Sequence, residues 1–233
     1  VALDEVKVLA GAVPERTGGE RTVVLRQGLN GYSGVQDTQL REEEPTRNDF
    51  WTRDSMQVTG YDDNPSNLMH RGIVKFDLAG VLPAGATVTS AKLRLYAYHK
   101  IRDRGLYDLT RILTPVTING GTWSSSSNPT RRIVGREQDP EIPSQNYYPD
   151  LYPVSGGEVS TGGAWLEFDV TPSVGAFAAG LANYGWMIQC ANEKVEMEDR
   201  FRTSEHLADP TKRPTLVIGY RTDVETVLVS PTV

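Results

Sequence analysis

Arg71 to Lys100, RGIVKFDLAGVLPAGATVTSAKLRLYAYHK, is the stretch whose reading decides the fold. It reads as two β-strands joined by the turn Pro83-Ala84-Gly85-Ala86. Strand side chains alternate between faces. In the second strand Ala91, Leu93, Leu95 and Ala97 point one way, and Lys92, Arg94, Tyr96 and Tyr98 the other. The first strand sets Val74, Phe76 and Leu78 against Arg71, Ile73, Lys75 and Asp77. The expectation is a sheet with one buried apolar face and one face rich in cations and phenols. Such a face is either ordinary solvated surface or a binding platform.

The chain has 233 residues, and all-β domains of that length are often single units. Its net charge of −6 offers no overall basic field for nucleic acid, so an anionic partner has to meet a local patch. The lone cysteine, Cys190, forms no intrachain disulfide and is read as a small buried hydrophobe in the strand from Trp186. No apolar run approaches the roughly 20 residues that cross a bilayer, and no signal peptide is visible.

Outward from the central pair, Arg21 to Gln27, Gln36 to Glu42, Trp51 to Thr59, Ala164 to Val170, Gly185 to Cys190, Arg200 to Ser204 and Thr215 to Tyr220 read as strands. A further one is expected within Ile112 to Ile118, in the irregular region Ile101 to Gly163. Thr171-Pro172 opens the only helical pattern, with Thr171 as N-cap and Val174, Phe177, Ala178 and Leu181 on one stripe, stopped by Asn183 and Gly185. Trp165 and Trp186 are assigned to the core or the scaffold of the fold. Many short strands with turns and one helix predict an antiparallel β-sandwich. It spans residues 21–221, after an edge strand or linker remnant at 1–20 and before a tail at 222–233.

Asp37-Thr38-Gln39-Leu40-Arg41-Glu42 resembles the DNRLRE motif of the disaggregatase-related domain family, with Thr38 and Gln39 departing from it. Alginate-associated carbohydrate-binding modules of the CBM96 type belong to that family. The likeness extends in order through Leu25 to Asp37, Arg71 to Leu78, Leu82 to Ala91, Leu93 to Tyr96, Gly121-Thr122-Trp123, Phe168 to Thr171, Gly180 to Trp186 and Phe201 to Pro214. The resemblance implies a jelly-roll-like sandwich from a secreted or cell-surface multidomain protein. It also implies polysaccharide binding, of acidic glycans in particular, rather than catalysis.

An acidic polymer presents carboxylates, which a guanidinium meets with two parallel donors, and flat sugar faces, which stack on aromatic rings. The expected contacts are Arg71, Lys75, Lys92, Arg94, Tyr96, Tyr98, Arg202 and Trp123, with Arg200 joining if the sheets align. Sandwich carbohydrate modules often hold a structural Ca²⁺, and Asp37, Asp62, Asp63 and Asp169 are the carboxylates available for one. The scattered His70, His99 and His206 argue against zinc. The rival readings are a structural or adhesive extracellular domain without sugar affinity, and a jelly-roll lyase or paired-carboxylate hydrolase. Against the lyase, Gln39 to Glu42 matches its arginine-rich strand only in part, and no Gln-Ile-His element occurs.

Overall fold

The computed structural model describes residues 19–60, 69–101, 107–113, 115–122, 124, 136–137, 163–190 and 197–222. In chain order the elements are β1 (Arg21–Arg26), β2 (Val35–Arg41), β3 (Ser55–Gly60), β4 (His70–Phe76), β5 (Ala86–Ile101), β6 (Tyr107–Ile112), β7 (Arg136–Glu137), β8 (Ala164–Asp169), α1 (Thr171–Ala178), β9 (Trp186–Cys190), β10 (Met197–Arg202) and β11 (Thr215–Thr222). Every pairing among them is antiparallel. The protein is an all-β, jelly-roll-like sandwich with a single short helix among the described residues.

β5 organises the first sheet. At 16 residues it is longer than the usual strand, and it carries three neighbours. β11 and β10 follow one another along one of its edges, and β8 takes the other. β1 extends β11 and β3 extends β10. Register shifts at Gly219/Tyr220 and at Arg200/Phe201 mark irregularities where β11 and β10 run along β5; an extra residue on one strand of a pair bends it and adds twist. The second sheet runs β2–β4–β9–β6–β7. The two meet at one corner, where Thr59 of β3 pairs with His70 of β4.

The main core lies between the sheets. Ala91, Leu93, Leu95 and Ala97 of β5 pack with Leu166 and Phe168 of β8, Leu216 and Ile218 of β11, Val74 and Phe76 of β4, and Trp186 and Ile188 of β9. The expected alternation is therefore present in both central strands. β4 approaches its neighbours so closely that Gly72 has no room for a side chain: a Cβ there lies 2.7 Å from Ile188 Cγ2 and 2.9 Å from Met56 Sδ. Cys190 is fully buried in this core, as the sequence predicts.

A second, smaller core covers the outer side of the second sheet. Leu40, Ile73, Ile112, Met187 and Ile118 form it, with Val116, Met69 and Tyr184 packed against them. Part of this cover comes from the stretch 112–118, which the sequence reading expected as a strand. The strand instead precedes it, Tyr107–Ile112, and the residues after it run irregularly across β4 and β9. Trp51 likewise lies in a 3-10 turn, Phe50–Thr52, ahead of β3 rather than in it.

The helix also departs from expectation. Its cap position is Val170, and the capping side chain is Asp169, whose Oδ1 accepts from Thr171 N at 3.0 Å and from Thr171 Oγ1 at 2.6 Å. Its buried side is Ser173, Val174 and Phe177; Ala178 and Leu181 are exposed, because the helix ends at Ala178 and the chain turns at Gly180, φ 102°.

Candidate functional site

Lys92, Arg94, Tyr96 and Tyr98 point outward from the first sheet, opposite their buried neighbours Leu93, Leu95 and Ala97. Their cross-strand partners on β8 are Asp169 for Lys92, Glu167 for Arg94 and Trp165 for Tyr96. Lys92 Nζ lies 2.8 Å from Asp169 Oδ2 and Arg94 Nε 3.0 Å from Glu167 Oε1. Partial burial pushes the Asp169 pKa up, but the Lys92 ammonium and the hydrogen bonds from Thr171 outweigh it and hold the carboxyl below its ordinary pKa. The face that looks cationic along β5 alone is charge-balanced by β8.

Each ring on this face has a cation above it. The Arg94 guanidinium sits 4.8 Å from the Trp165 ring, that of Arg202 3.5 Å from the Tyr98 ring, and Lys212 Nζ 5.0 Å from the Tyr96 ring. Tyr96 also takes the edge of Trp165, centroids 5.2 Å apart, and is only 8% exposed. Trp165 is thus not core, as the sequence suggested: strand parity puts it with Glu167 and Asp169 on the outer, half-buried side. Trp186 is fully buried, as expected.

Arg71 and Lys75 belong to the other side of the molecule. They alternate with the core residues Val74 and Phe76, and so leave the outer face of the second sheet. Arg71 is buried there, beside Leu40. Lys75 borders a separate cavity of about 470 Å³ with Leu82, Phe177 and Asn183. Trp123, Asp62 and Asp63 lie outside the described residues, as do residues 1–18 and 223–233.

Asp37 is buried on β2 of the second sheet, whereas Asp169 stands half-buried at the end of β8 on the outer face of the first. Asp37 shares the inner face of β2 with Val35, is 2% exposed, and accepts from Ser204 N at 2.7 Å through Oδ2. Burial raises its pKa to about 7, against the pull of the Ser204 N–H. That value suits a general acid, but a polymer has no route to a carboxyl sealed between sheets. Among the described residues no three His, Cys, Asp or Glu side chains gather as a metal site.

Beyond β5 the first sheet's outer face continues over Arg202 and Arg200 of β10 to Ser55 and Gln57 of β3, their register partners. Arg200 and Arg202, which join the expected set where the sheets align, both lie on this continuation. The face ends in a cavity of about 390 Å³ lined by Arg41, Arg47, Arg53 and Arg200 and by the carboxylate of Asp54, with Gln57 and Phe50. The sequence reading passed over Arg41, Arg47 and Arg53. The local signal was present in Arg47-Asn48-Asp49-Phe50-Trp51-Thr52-Arg53, but its closure by Arg200 depends on the β3–β10 pairing.

No protein-family model matches the chain, and no curated protein sequence does.

Proposed function

We propose that this domain binds an acidic polysaccharide without cleaving it, through the outer face of β8, β5 and β10. The observation that carries the reading is the alternation of ring and cation on that face: Trp165 with Arg94, Tyr96 with Lys212 and Tyr98 with Arg202. The half-buried rings of Trp165 and Tyr98 supply apolar area to a sugar face, Tyr96 packs beneath against the Trp165 edge, and the cations supply partners to the sugar's carboxylates. The resemblance of Asp37 to Glu42 and the later segments to a family of polysaccharide-binding modules supports the same reading, including a secreted or cell-surface setting.

The ion pairs on the face are weak ones. Lys92 and Asp169 are 44% and 45% exposed, and Arg94 and Glu167 34% and 42%. Pairs in such solvent contact are worth about 0–1 kcal/mol. A ligand carboxylate exchanges for Asp169 or Glu167 at small cost and leaves the cation compensated. The same pairing is the one observation that favours the rival reading, a structural extracellular domain: a self-neutralised face needs no ligand.

Affinity electrophoresis separates the two. The wild-type domain is expected to be retarded in gels containing a polyuronate and to run freely in a neutral glucan. Arg94→Ala and Arg202→Ala are expected to reduce the retardation. Free migration of the wild type on every polyanionic glycan would overturn the proposal in favour of the structural reading.

A further inference from the structure

The cavity at the end of this face is built from guanidinium groups held in fixed positions. Glu44 bridges two of them, with Oε2 3.2 Å from Arg41 Nη1 and Oε1 2.5 Å from Arg47 Nη1. Asp49 bridges the next two, at 2.5 Å from Arg47 Nε and 3.2 Å from Arg53 Nη2. The hydrogen bonds from Arg47 and Arg53 keep the Asp49 carboxyl ionised, with its pKa lowered to about 2. Beneath them the buried Phe50 ring carries Arg41 at 4.9 Å and Arg47 at 4.7 Å. Arg41 is further tied to Gln57 Oε1.

Donors remain after these bonds are counted. Arg200 spends Nε on Glu198 Oε1 at 2.8 Å, and among the described residues its Nη1 and Nη2 carry no hydrogen bond. Among the described residues the Arg53 side chain donates from Nη2 alone, to Asp49. Arg41 Nε is shielded from solvent and has no partner among the described residues. Part of the side-chain order that a ligand would otherwise have to impose is already present in these bonds. The volume of about 390 Å³ lies in the roughly 300–1,000 Å³ range of small-ligand sites.

We propose that this pocket is a subsite for one carboxylate-bearing sugar unit, seated on the unspent donors of Arg200 and Arg53. The inference rests on the polysaccharide reading for the rest of the chain but not for the pocket itself. The adjoining face, with its rings, then holds the neighbouring units. Trp51, 37% exposed, follows Phe50 in the same turn.

The test is calorimetric titration of the full chain with free glucuronate, with glucose and with acetate, beside the gel assay on polyuronate. Saturable binding of glucuronate, at least tenfold tighter than glucose or acetate, is expected. So is a loss of at least tenfold in Arg200→Gln and in Arg53→Gln, each first shown to melt with the wild type. Arg200→Lys keeps the charge but not the fork, and an intermediate loss is expected. Polymer retardation without glucuronate binding, or with unchanged retardation in Arg200→Gln and Arg53→Gln, overturns the pocket and leaves the face. Glucuronate binding without polymer retardation overturns the face and leaves the pocket. Equal binding of acetate overturns the sugar assignment.

Discussion

The outer faces of β4 and β5 lie on opposite sides of one sandwich and begin from the same alternation. On β5 the outward set is Lys92, Arg94, Tyr96 and Tyr98, and the Lys92 side chain is 44% exposed. On β4 it is Arg71, Ile73 and Lys75, and Ile73 is fully buried. The difference is Ile73 itself, together with Leu40, Ile112 and Met187 on the neighbouring strands. Those side chains leave an apolar outer patch, and Val116 and Ile118 fold over it. Alternation assigns a residue to a face; whether that face meets water depends on what a later segment lays across it.

The largest test of that contrast is a deletion on each face. Ile73→Ala opens a cavity in the second core and is expected to lower unfolding stability by about 2–5 kcal/mol. Lys92→Ala is expected to change it by less than about 0.5 kcal/mol. Urea denaturation followed by tryptophan fluorescence reads both. Equal effects would mean that 112–118 does not cover β4.

An effect of similar size, set by pH, is lodged in the second sheet. The Asp37 pKa rises from 3.8 to about 7 on folding, roughly 3–5 kcal/mol at about 1.36 per unit. The folded state holds the proton more tightly, so this contribution is complete below about pH 4 and is lost as pH climbs toward about 7. Denaturant midpoints for the wild type and for Asp37→Asn, taken from pH 4 to 8, are expected to diverge over that window. Parallel profiles would show that Asp37 is ionised inside the fold.

Smaller effects belong to the open face. Arg202→Ala removes the cation above Tyr98 and is expected to weaken polyuronate binding about tenfold, near 1.4 kcal/mol, as read by calorimetry. Its pairing with Asp54 at 3.1 Å is solvent-exposed on the acid's side, so stability should hardly move. The smallest is the Lys92–Asp169 pair, for which a double-mutant cycle should give under about 1 kcal/mol and less at high salt.

What was legible in the sequence follows from this. The strict period of two in β5 gave its core side correctly, and the jelly-roll-like sandwich with it, because Leu93 and Leu95 have no alternative to burial. The helix start was legible from Pro172, but the cap position is Val170, one residue before the expected Thr171, and the side chain that serves it, Asp169, acts from the end of β8. The site was legible only in part. Lys92, Arg94, Tyr96 and Tyr98 share one strand, and parity alone unites them. Their neutralisation by Asp169 and Glu167, about 75 residues away, exists only in the β5–β8 register. The arginine pocket was invisible for the same reason, as it joins residues 41–53 to Arg200 through the pairing of β3 with β10.

The central claim is that the open face, not the covered one, receives an acidic chain. It is tested most directly by calorimetric titration of a polyuronate oligomer into the wild type and into the double variant Arg94→Ala/Arg202→Ala, at one low and one high salt concentration. Saturable binding to the wild type is predicted, weakened at high salt and reduced at least tenfold in a double variant that still melts cooperatively. Wild-type binding that the double variant retains in full would contradict it.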